Sequence, residues 1–165
     1  MKYQQIMESL GLQVILAPQL ITLPPSPQPS AVSVGVTLHN PINTTMTLLK
    51  WGTPFDPRAN ILGVFAVADA ENGESIPINT IQISRKLPAS PDDLLQLPAK
   101  TSLDTVVQLP PLPLVSGHEY SISAQGIWHA VWESQLQDVT PSQLEQLADA
   151  KRGEFSSNTI IVKVE

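Results

Sequence analysis

The sequence predicts an all-β protein, an antiparallel sandwich of about seven or eight short strands with one short helix. Sixteen prolines and eight glycines interrupt the 165 residues, and short apolar runs lie between them. From Val32 to Leu38 an apolar side chain occupies every second position, the period of a strand with one buried face. Asn72-Gly73 is a dipeptide typical of tight hairpin turns. Regular turn signals between short strands are typical of a sandwich.

The first strands follow from apolar runs and the breakers between them. Residues 12–23 predict a strand that is broken at Pro18. Residues 31–39 and 45–51 flank a polar Asn-Pro turn and predict a hairpin. Residues 61–68 form a continuous apolar run, which predicts a strand buried on both faces. Residues 75–83 predict the strand that returns after the Asn-Gly turn, and residues 94–97 and 102–109 predict two short strands.

The second half of the chain predicts two more long strands and the helix. Residues 118–131 predict one long strand, or a strand with a bulge at Gly126, and residues 155–164 predict the last strand. Between them, Thr140 is a capping residue, Pro141 suits the first helical position, and Gln143 completes a capping box. Gly153 is a suitable left-handed stop. These signals predict a helix over about 141–151.

Composition limits the possible functions of the single domain predicted over residues 1–165. The net charge is −6 with nine scattered basic residues, which argues against a nucleic-acid partner. The chain has no cysteine, which excludes disulfides and thiolate metal sites. The first 20 residues make a poor signal peptide, and no stretch reaches the roughly 20 apolar residues of a membrane span. We therefore expect a cytoplasmic protein with no membrane contact, unless a leader has been lost.

Several segments, in order, resemble the N-terminal domain of deuterolysin-type and peptidyl-Lys fungal metallopeptidases. The matching segments are Thr37-Leu38-His39-Asn40, Leu48-Leu49-Lys50-Trp51-Gly52-Thr53-Pro54-Phe55-Asp56, Gly63-Val64-Phe65-Ala66-Val67, Ile81-Gln82-Ile83-Ser84-Arg85-Lys86, Leu97-Pro98-Ala99-Lys100-Thr101-Ser102, Tyr120-Ser121-Ile122 and Ser157-Asn158-Thr159-Ile160-Ile161-Val162. In that family the domain is an immunoglobulin-like β-sandwich that precedes the peptidase as a pro-region. The resemblance implies a stand-alone pro-domain that assists folding of a protease or masks it.

The peptidase itself is absent from this chain. A zinc peptidase of this type needs two histidines one helical turn apart with a glutamate between them. The three histidines, His39, His118 and His129, do not have that spacing. We therefore expect no metal and no cofactor, and the chain is not a metallopeptidase. Lys100 also replaces the glycine that the family carries in its loop.

Three groups of residues are candidates for a binding or catalytic site. Trp51, Trp128 and Trp132 supply most of the aromatic area; Trp128 and Trp132 share strand parity and so face the same side unless a bulge intervenes. Asp56 and Arg58 lie in a stiff Pro-flanked loop and could form a binding ion pair. His129 with Glu133, and His118 with Glu119, are weak acid–base candidates, with Asp56 as a further carboxylate.

Two functions from different classes remain open, and the first is favoured. In the first, the protein is a non-catalytic protein-binding module, inhibitor-like or chaperone-like, that uses a strand edge or the Trp-bearing face. In the second, it is a small intracellular enzyme or carrier that holds an apolar molecule in a Trp-lined pocket for a cyclisation or isomerisation. Self-association through strand edges is a third possibility, because few charges guard residues 31–39.

Overall fold

A computed structural model describes residues 10–25 and 30–165, and this part of the chain forms a sandwich of two β-sheets. It contains eleven strands and one α-helix among the described residues. The strands are β1 (Gln13–Ala17), β2 (Leu20–Leu23), β3 (Ser33–His39), β4 (Met46–Leu49), β5 (Phe65–Asp69), β6 (Ser75–Ile76), β7 (Leu94–Leu97), β8 (Ser102–Gln108), β9 (Glu119–Trp132), β10 (Lys151–Ser156) and β11 (Ile160–Val164). The helix is α1 (Pro141–Gln146). The predicted all-β, immunoglobulin-like sandwich is confirmed, with more and shorter strands than expected.

The smaller sheet has three antiparallel strands in the order β1-β3-β8. The alternation predicted for β3 places Val34, Val36 and Leu38 in the core between the sheets. Strand β3 is the central strand, so it is not the exposed edge that the sequence suggested for self-association. The edges of this sheet are β1 and β8.

The larger sheet is built around the 14-residue strand β9. Strands β11 and β10 pair with successive parts of one edge of β9, and β5 and β4 pair with successive parts of the other. Strands β6 and β7 lie outside β5 and β4, and β2 pairs in parallel with β11. The chain therefore moves from one sheet to the other between β1 and β2, at Pro18, where the sequence predicted a break.

The predicted hairpin of residues 31–39 and 45–51 is wrong. Strand β3 lies in the smaller sheet and β4 in the larger one, so residues 40–45 cross between the sheets. Asn40 fixes the crossing, because its buried amide donates to the carbonyls of Thr44 and Leu97 and its Oδ1 accepts the N–H of Ile42. A polar turn between apolar runs does not reveal whether the second strand pairs with the first or crosses the core.

The helix begins where the sequence predicts and ends earlier. Thr140 and Gln143 form the predicted capping box. Leu147 then adopts a left-handed backbone with φ 55°, and Asp149 does the same with φ 61°. Residues 151–153 consequently belong to β10 rather than to the helix. The expected helix over 141–151 is too long because left-handed non-glycine residues carry no clear sequence signal.

Two predicted strands are also shorter than expected, and this leaves room for a groove. Residues 59–61 form a short 3-10 turn, so the strand predicted over 61–68 begins only at Phe65. After the Asn-Gly turn, where Gly73 has φ 73°, only Ser75–Ile76 pairs with β5. Residues 77–90 run on without regular secondary structure. The signal-peptide interpretation concerns a segment that includes residues 1–9. The proline-rich residues 24–29 predict a stiff, extended connector, and this segment includes residues 26–29. Residues 1–9 and 26–29 lie outside the described residues.

Candidate functional site

A loop over residues 50–64 interrupts what would otherwise be one strand beside β9. Strands β4 and β5 both run antiparallel to β9 on the same edge, with Leu48 opposite Val131 and Phe65 opposite Ala124. Among the described residues, the β9 residues between these two pairings have no ladder partner on that edge, apart from the Gln125 N–H, which donates to the Val64 carbonyl at 3.0 Å. Gly126 suits this place, because a Cβ there would lie 2.8 Å from the ring of Phe155 and 3.3 Å from the carbonyl oxygen of Gly52. The loop and residues 77–90 form a groove over this gap.

Asp56 anchors the loop from the inside. Its side chain is 0% exposed, and it forms an ion pair with Arg85 at 2.9 Å. Its two oxygens also accept the backbone N–H groups of Gly52 and Arg58, at 3.0 Å and 2.9 Å. The sequence paired Asp56 with Arg58, but the Arg58 side chain is exposed and only its backbone contributes. Asp56 is therefore a structural carboxylate whose accepting sites are occupied.

Arg85 is held at the groove by two contacts. Its Nη2 donates both hydrogen bonds to Asp56, at 3.0 Å and 2.9 Å. Its guanidinium carbon lies 5.6 Å from the ring centroid of Trp51, a cation–π arrangement. Sequence reasoning missed this residue, although the adjacent Arg85-Lys86 pair in a chain with few basic residues was a signal.

His129 lines the same groove, against Gly52. It lies on a bulge of β9: Trp128 pairs with Gly153 and Val131 pairs with Lys151, so His129 and Ala130 lie opposite Arg152 alone. Burial holds the pKa of His129 below its usual 6.5, and the positive charge of Arg152 lowers this pKa further. No hydrogen bond joins His129 to a residue within 10–25 or 30–165.

The rest of the groove is mostly apolar. Its volume is about 670 Å³, and Trp51 and Leu147 lie on its walls. The lining residues are Trp51, Gly52, Asp56, Leu62, Ile81, Gln82, Ile83, Ser84, Arg85, Leu87, His129 and Leu147. Ile81 and Leu87 are each 45% exposed. The groove therefore joins an apolar wall to a fixed guanidinium and an imidazole.

The three tryptophans do not come together. Trp128 is buried between the sheets, with its ring centroid 4.6 Å from that of Phe155. Trp132 is buried on the opposite face of the sheet, in the cluster that contains Leu144 of α1, and its Nε1 donates to the carbonyl of Ala148 at 2.9 Å. The bulge at His129–Ala130, rather than at Gly126, separates their faces. Only Trp51 lines the groove.

The other acid–base candidates are also separated. Glu133 pairs with Lys151 at 2.7 Å, and no contact joins it to His129 in the described part of the chain. His118 pairs with Asp69 at 3.1 Å rather than with Glu119. Asp69 also accepts N–H groups of the β5–β6 turn, and the hydrogen bond from Glu71 and the contact with His118 lower the pKa of Asp69. This pair stabilises the turn.

A second feature is the free edge of β8, on the other sheet. The Leu109 N–H donates to the Val32 carbonyl, and the Asn40 N–H donates to the Thr101 carbonyl, each at 2.9 Å. In an antiparallel pair, every second residue of a strand forms backbone hydrogen bonds with the partner strand. Because Thr101 and Leu109 bond to the β3 side, the odd-numbered residues between them also bond to β3. The backbone groups of the even-numbered residues point away from β3 and have no partner among the described residues. These residues are Ser102, Asp104, Val106 and Gln108.

The β8 edge lies next to a second, smaller cleft. This cleft has a volume of about 240 Å³ and lies between residues 105–108 and residues 54–60. Val106 is 70% exposed and Leu103 is 38% exposed. Asp104 is the only charged residue of β8, and it accepts a 2.6 Å hydrogen bond from Thr37. The sequence placed a strand here but did not indicate that its edge was free.

In ranges 10–25 and 30–165, no group of three or more histidine, aspartate or glutamate side chains is placed to hold a metal ion. No helix in the same ranges is long and apolar enough to cross a membrane.

The topology defines the class of the protein. The first strand is divided between the two sheets, and Val115 N–H donates to Tyr120 Oη at 2.9 Å near the start of β9. Immunoglobulin-type sandwiches typically have a tyrosine near the start of a late strand, and its hydroxyl forms a hydrogen bond with the backbone a few residues earlier in the chain. The chain belongs to the immunoglobulin-like domain family, whose profile matches residues 21–164.

The chain is also similar to one protein in sequence and to one solved structure. The chain is 40% identical over 119 residues to a protein of Arthroderma benhamiae named "Uncharacterized secreted protein", covering 70% of this chain and 60% of that one. The chain thus spans less than two thirds of this relative. Among solved structures, the ASH/PapD-like domain 7 of human CEP192 aligns over 100% of this chain and 96% of that chain, with 14% identity and a TM-score of 0.32.

The relative corrects one sequence-based expectation. A cytoplasmic location was predicted from the absence of a convincing signal peptide. The similar protein of Arthroderma benhamiae is named as secreted, which contradicts that prediction.

Proposed function

We propose that the protein is an extracellular, non-catalytic binding domain that recognises an extended segment of a partner protein by strand addition to β8. The observation that carries this proposal is the free edge of β8. In strand addition, the backbone groups of an exposed edge give affinity, and side chains on alternating sides give specificity. The secreted relative supports an extracellular setting for this contact.

The β8 edge has the chemistry that strand addition requires. Four residues present unpaired backbone groups over a seven-residue strand. Val106 offers an exposed apolar side chain on the outer face, and Leu103 offers one at the rim of the inner face. Natural edges are usually guarded by lysine, proline or several charges, and β8 has only Asp104. A cleft of about 240 Å³ separates residues 105–108 from residues 54–60, so a partner strand would lie beside that loop.

The opposite edge of the same sheet is partly occupied. The side chain of Asn158 accepts the N–H of Leu16 at 2.7 Å and donates to its carbonyl at 3.0 Å. The amide thus takes the place of a neighbouring strand at this one residue of β1. The other edge strands of the described part are all shorter than the seven-residue β8: β10 has six residues, β2 and β7 have four each, and β6 has two.

The resemblance to protease pro-domains supports a choice of first partner. A deuterolysin-type metallopeptidase is the partner class that the matching segments suggest, and an inhibitor-like or chaperone-like action would follow from binding one of its extended segments. Self-association through the same edge is the competing use of β8.

The acid–base candidates do not support the alternative of an enzyme. Asp56 has its oxygens occupied by donors, and Glu133 is paired with Lys151. His129 has no carboxylate beside it in the described part of the chain. General acid–base catalysis needs a positioned partner within hydrogen-bond reach of the reacting proton.

The test uses two substitutions of one exposed residue. Val106→Pro removes an N–H that points away from β3 and has no partner among the described residues. Val106→Thr keeps this N–H and loses a similar amount of apolar surface. Calorimetry with a deuterolysin-type peptidase should show binding by the wild type, a loss of about tenfold or more with Val106→Pro, and a change under about threefold with Val106→Thr. Thermal unfolding verifies that both variants are folded.

Two outcomes would count against the proposal. No binding at roughly 100 µM peptidase would remove this partner class. Equal binding by the two variants would remove the edge as the contact. Light scattering adds a separate check: a wild-type dimer that Val106→Pro dissociates would assign the edge to a second copy of the chain.

A further inference from the structure

The groove over β9 carries an inference that is independent of the β8 edge. No residue of β8 lines it, although Asp56 lines both this groove and the cleft beside β8. The groove contains the half-buried Trp51, the fixed Arg85 and the isolated His129. Its volume of about 670 Å³ lies within the range of roughly 300–1,000 Å³ of small-molecule sites. Such sites combine apolar walls with a few positioned polar groups.

Arg85 has hydrogen-bonding capacity that the protein does not use. A guanidinium has five N–H donors in a rigid plane. Both of its bonds to Asp56 come from Nη2, so Nε and Nη1 have no acceptor among the described residues. The side chain is 25% exposed and lies on the groove. Because Asp56 and Trp51 already hold it in place, little side-chain entropy remains to be lost when a ligand binds.

The surroundings of these donors favour an anion. Asp56 is fully buried beneath Arg85, and its oxygens are engaged by Arg85 and two backbone N–H groups. Arg152 is close enough to His129 for its charge to act on the imidazole. Arg85 and His129 are the basic side chains among the residues that line the groove, in a chain whose net charge is −6.

Much of the groove lining is apolar and partly exposed. Ile81 and Leu87 are each 45% exposed, and Leu62 and Leu147 also line the groove. Covering exposed apolar surface contributes about 25 cal/mol per Å². A ligand that fits must therefore have a hydrocarbon part beside a single anionic group.

We propose that this groove binds a small amphipathic carboxylate. The carboxylate accepts hydrogen bonds from the unused N–H donors of Arg85, and the hydrocarbon part packs on Ile81 and Leu87. Arginine suits this task because its planar donors match the two oxygens of a carboxylate. The site requires no reaction and no metal ion.

The probes are octanoate and 1-octanol, which share a hydrocarbon chain and differ in the headgroup. Calorimetry should show octanoate binding at least about tenfold more tightly than octanol. The fluorescence of Trp51 should change on binding, and the change should disappear in Trp51→Phe, because Trp128 and Trp132 do not line the groove.

Substitutions at the exposed Ile81 test the charge without disturbing the core. Ile81→Glu places a carboxylate at the groove and should weaken octanoate binding about tenfold more than the isosteric Ile81→Gln does. Arg85→Lys keeps a cation beside Asp56 but removes the planar donors, and it should also weaken octanoate binding. Val106→Pro should leave octanoate binding unchanged, which separates this site from the β8 edge.

Three results would overturn the proposal. They are no octanoate binding at about 1 mM, equal binding of octanol and octanoate, and equal binding by Ile81→Glu and Ile81→Gln. A peptide with an apolar C-terminal residue that binds where octanoate does not would assign the groove to a chain terminus instead.

Discussion

At the scale of single residues, Asp56 shows what local sequence can and cannot reveal. Its place between Pro54 and Pro57 indicated a carboxylate held in a stiff loop, and the structure has such a carboxylate. Its partner is Arg85, which lies 29 residues away and reaches the loop only because residues 77–90 fold over it. Arg58 was the nearer cation in sequence, but its side chain faces solvent.

Removal of the Asp56 charge should destabilise the fold. Asp56→Asn leaves Arg85 without its carboxylate and weakens two N–H···O bonds, so we expect a loss of about 2–4 kcal/mol in the free energy of unfolding. Arg58→Ala is the matched control and should cost under about 0.5 kcal/mol. Urea unfolding measures both; equal effects of the two substitutions would contradict the structural role assigned to Asp56.

His129 should make the protein less stable in mild acid. Because its pKa is lowered in the folded state from 6.5, the unfolded chain binds more protons as the pH falls below 6.5. The free energy of unfolding therefore falls with decreasing pH through this window. His129→Gln should flatten the profile between about pH 7.5 and about pH 5. Asp69, whose pKa is lowered from 3.8, affects a more acidic range. An unchanged profile in the variant would contradict this assignment.

At the scale of elements, the long strand β9 explains why the tryptophans were difficult to place. Period-two alternation correctly predicted the strand, but a bulge changes the parity of every residue that follows it. No residue type marks His129–Ala130 as a bulge. The bulge lies where the single residue Arg152 of β10 is opposite both His129 and Ala130 of β9. The helix is a similar case: its start has a chemical signature in Thr140 and Gln143, whereas its end depends on backbone strain at Leu147.

Gly126 tests the packing at the gap beside β9. Its backbone is not left-handed, so Gly126→Ala should act only through the added methyl group, which would lie 2.8 Å from the Phe155 ring. We expect a loss of about 1–3 kcal/mol from overpacking. Phe155→Leu should recover part of this loss in the double variant, measured by a double-mutant cycle. If the free-energy changes of the two substitutions simply add, the Phe155 ring is not what opposes the added methyl group.

At the scale of the whole molecule, the sandwich was predictable and its edges were not. Alternation, turn residues and apolar runs define how many strands a chain can form and which side each buries. They do not define neighbours: β3 seemed an unguarded edge but is central, while β8 was only a short strand in the sequence. Pairing depends on contacts such as the Asn158 amide on Leu16, 142 residues apart. The groove likewise arises from segments that are separate in sequence.

The measurement that most directly tests strand addition at β8 is residue-resolved amide hydrogen exchange, with and without a deuterolysin-type peptidase. In the protein alone, the amides of Leu103, Thr105 and Val107 should be protected, while those of Asp104, Val106 and Gln108 exchange rapidly. With the peptidase bound, this second set should become protected and restore a continuous ladder. Protection that appears elsewhere while these three amides still exchange rapidly would contradict the proposed function.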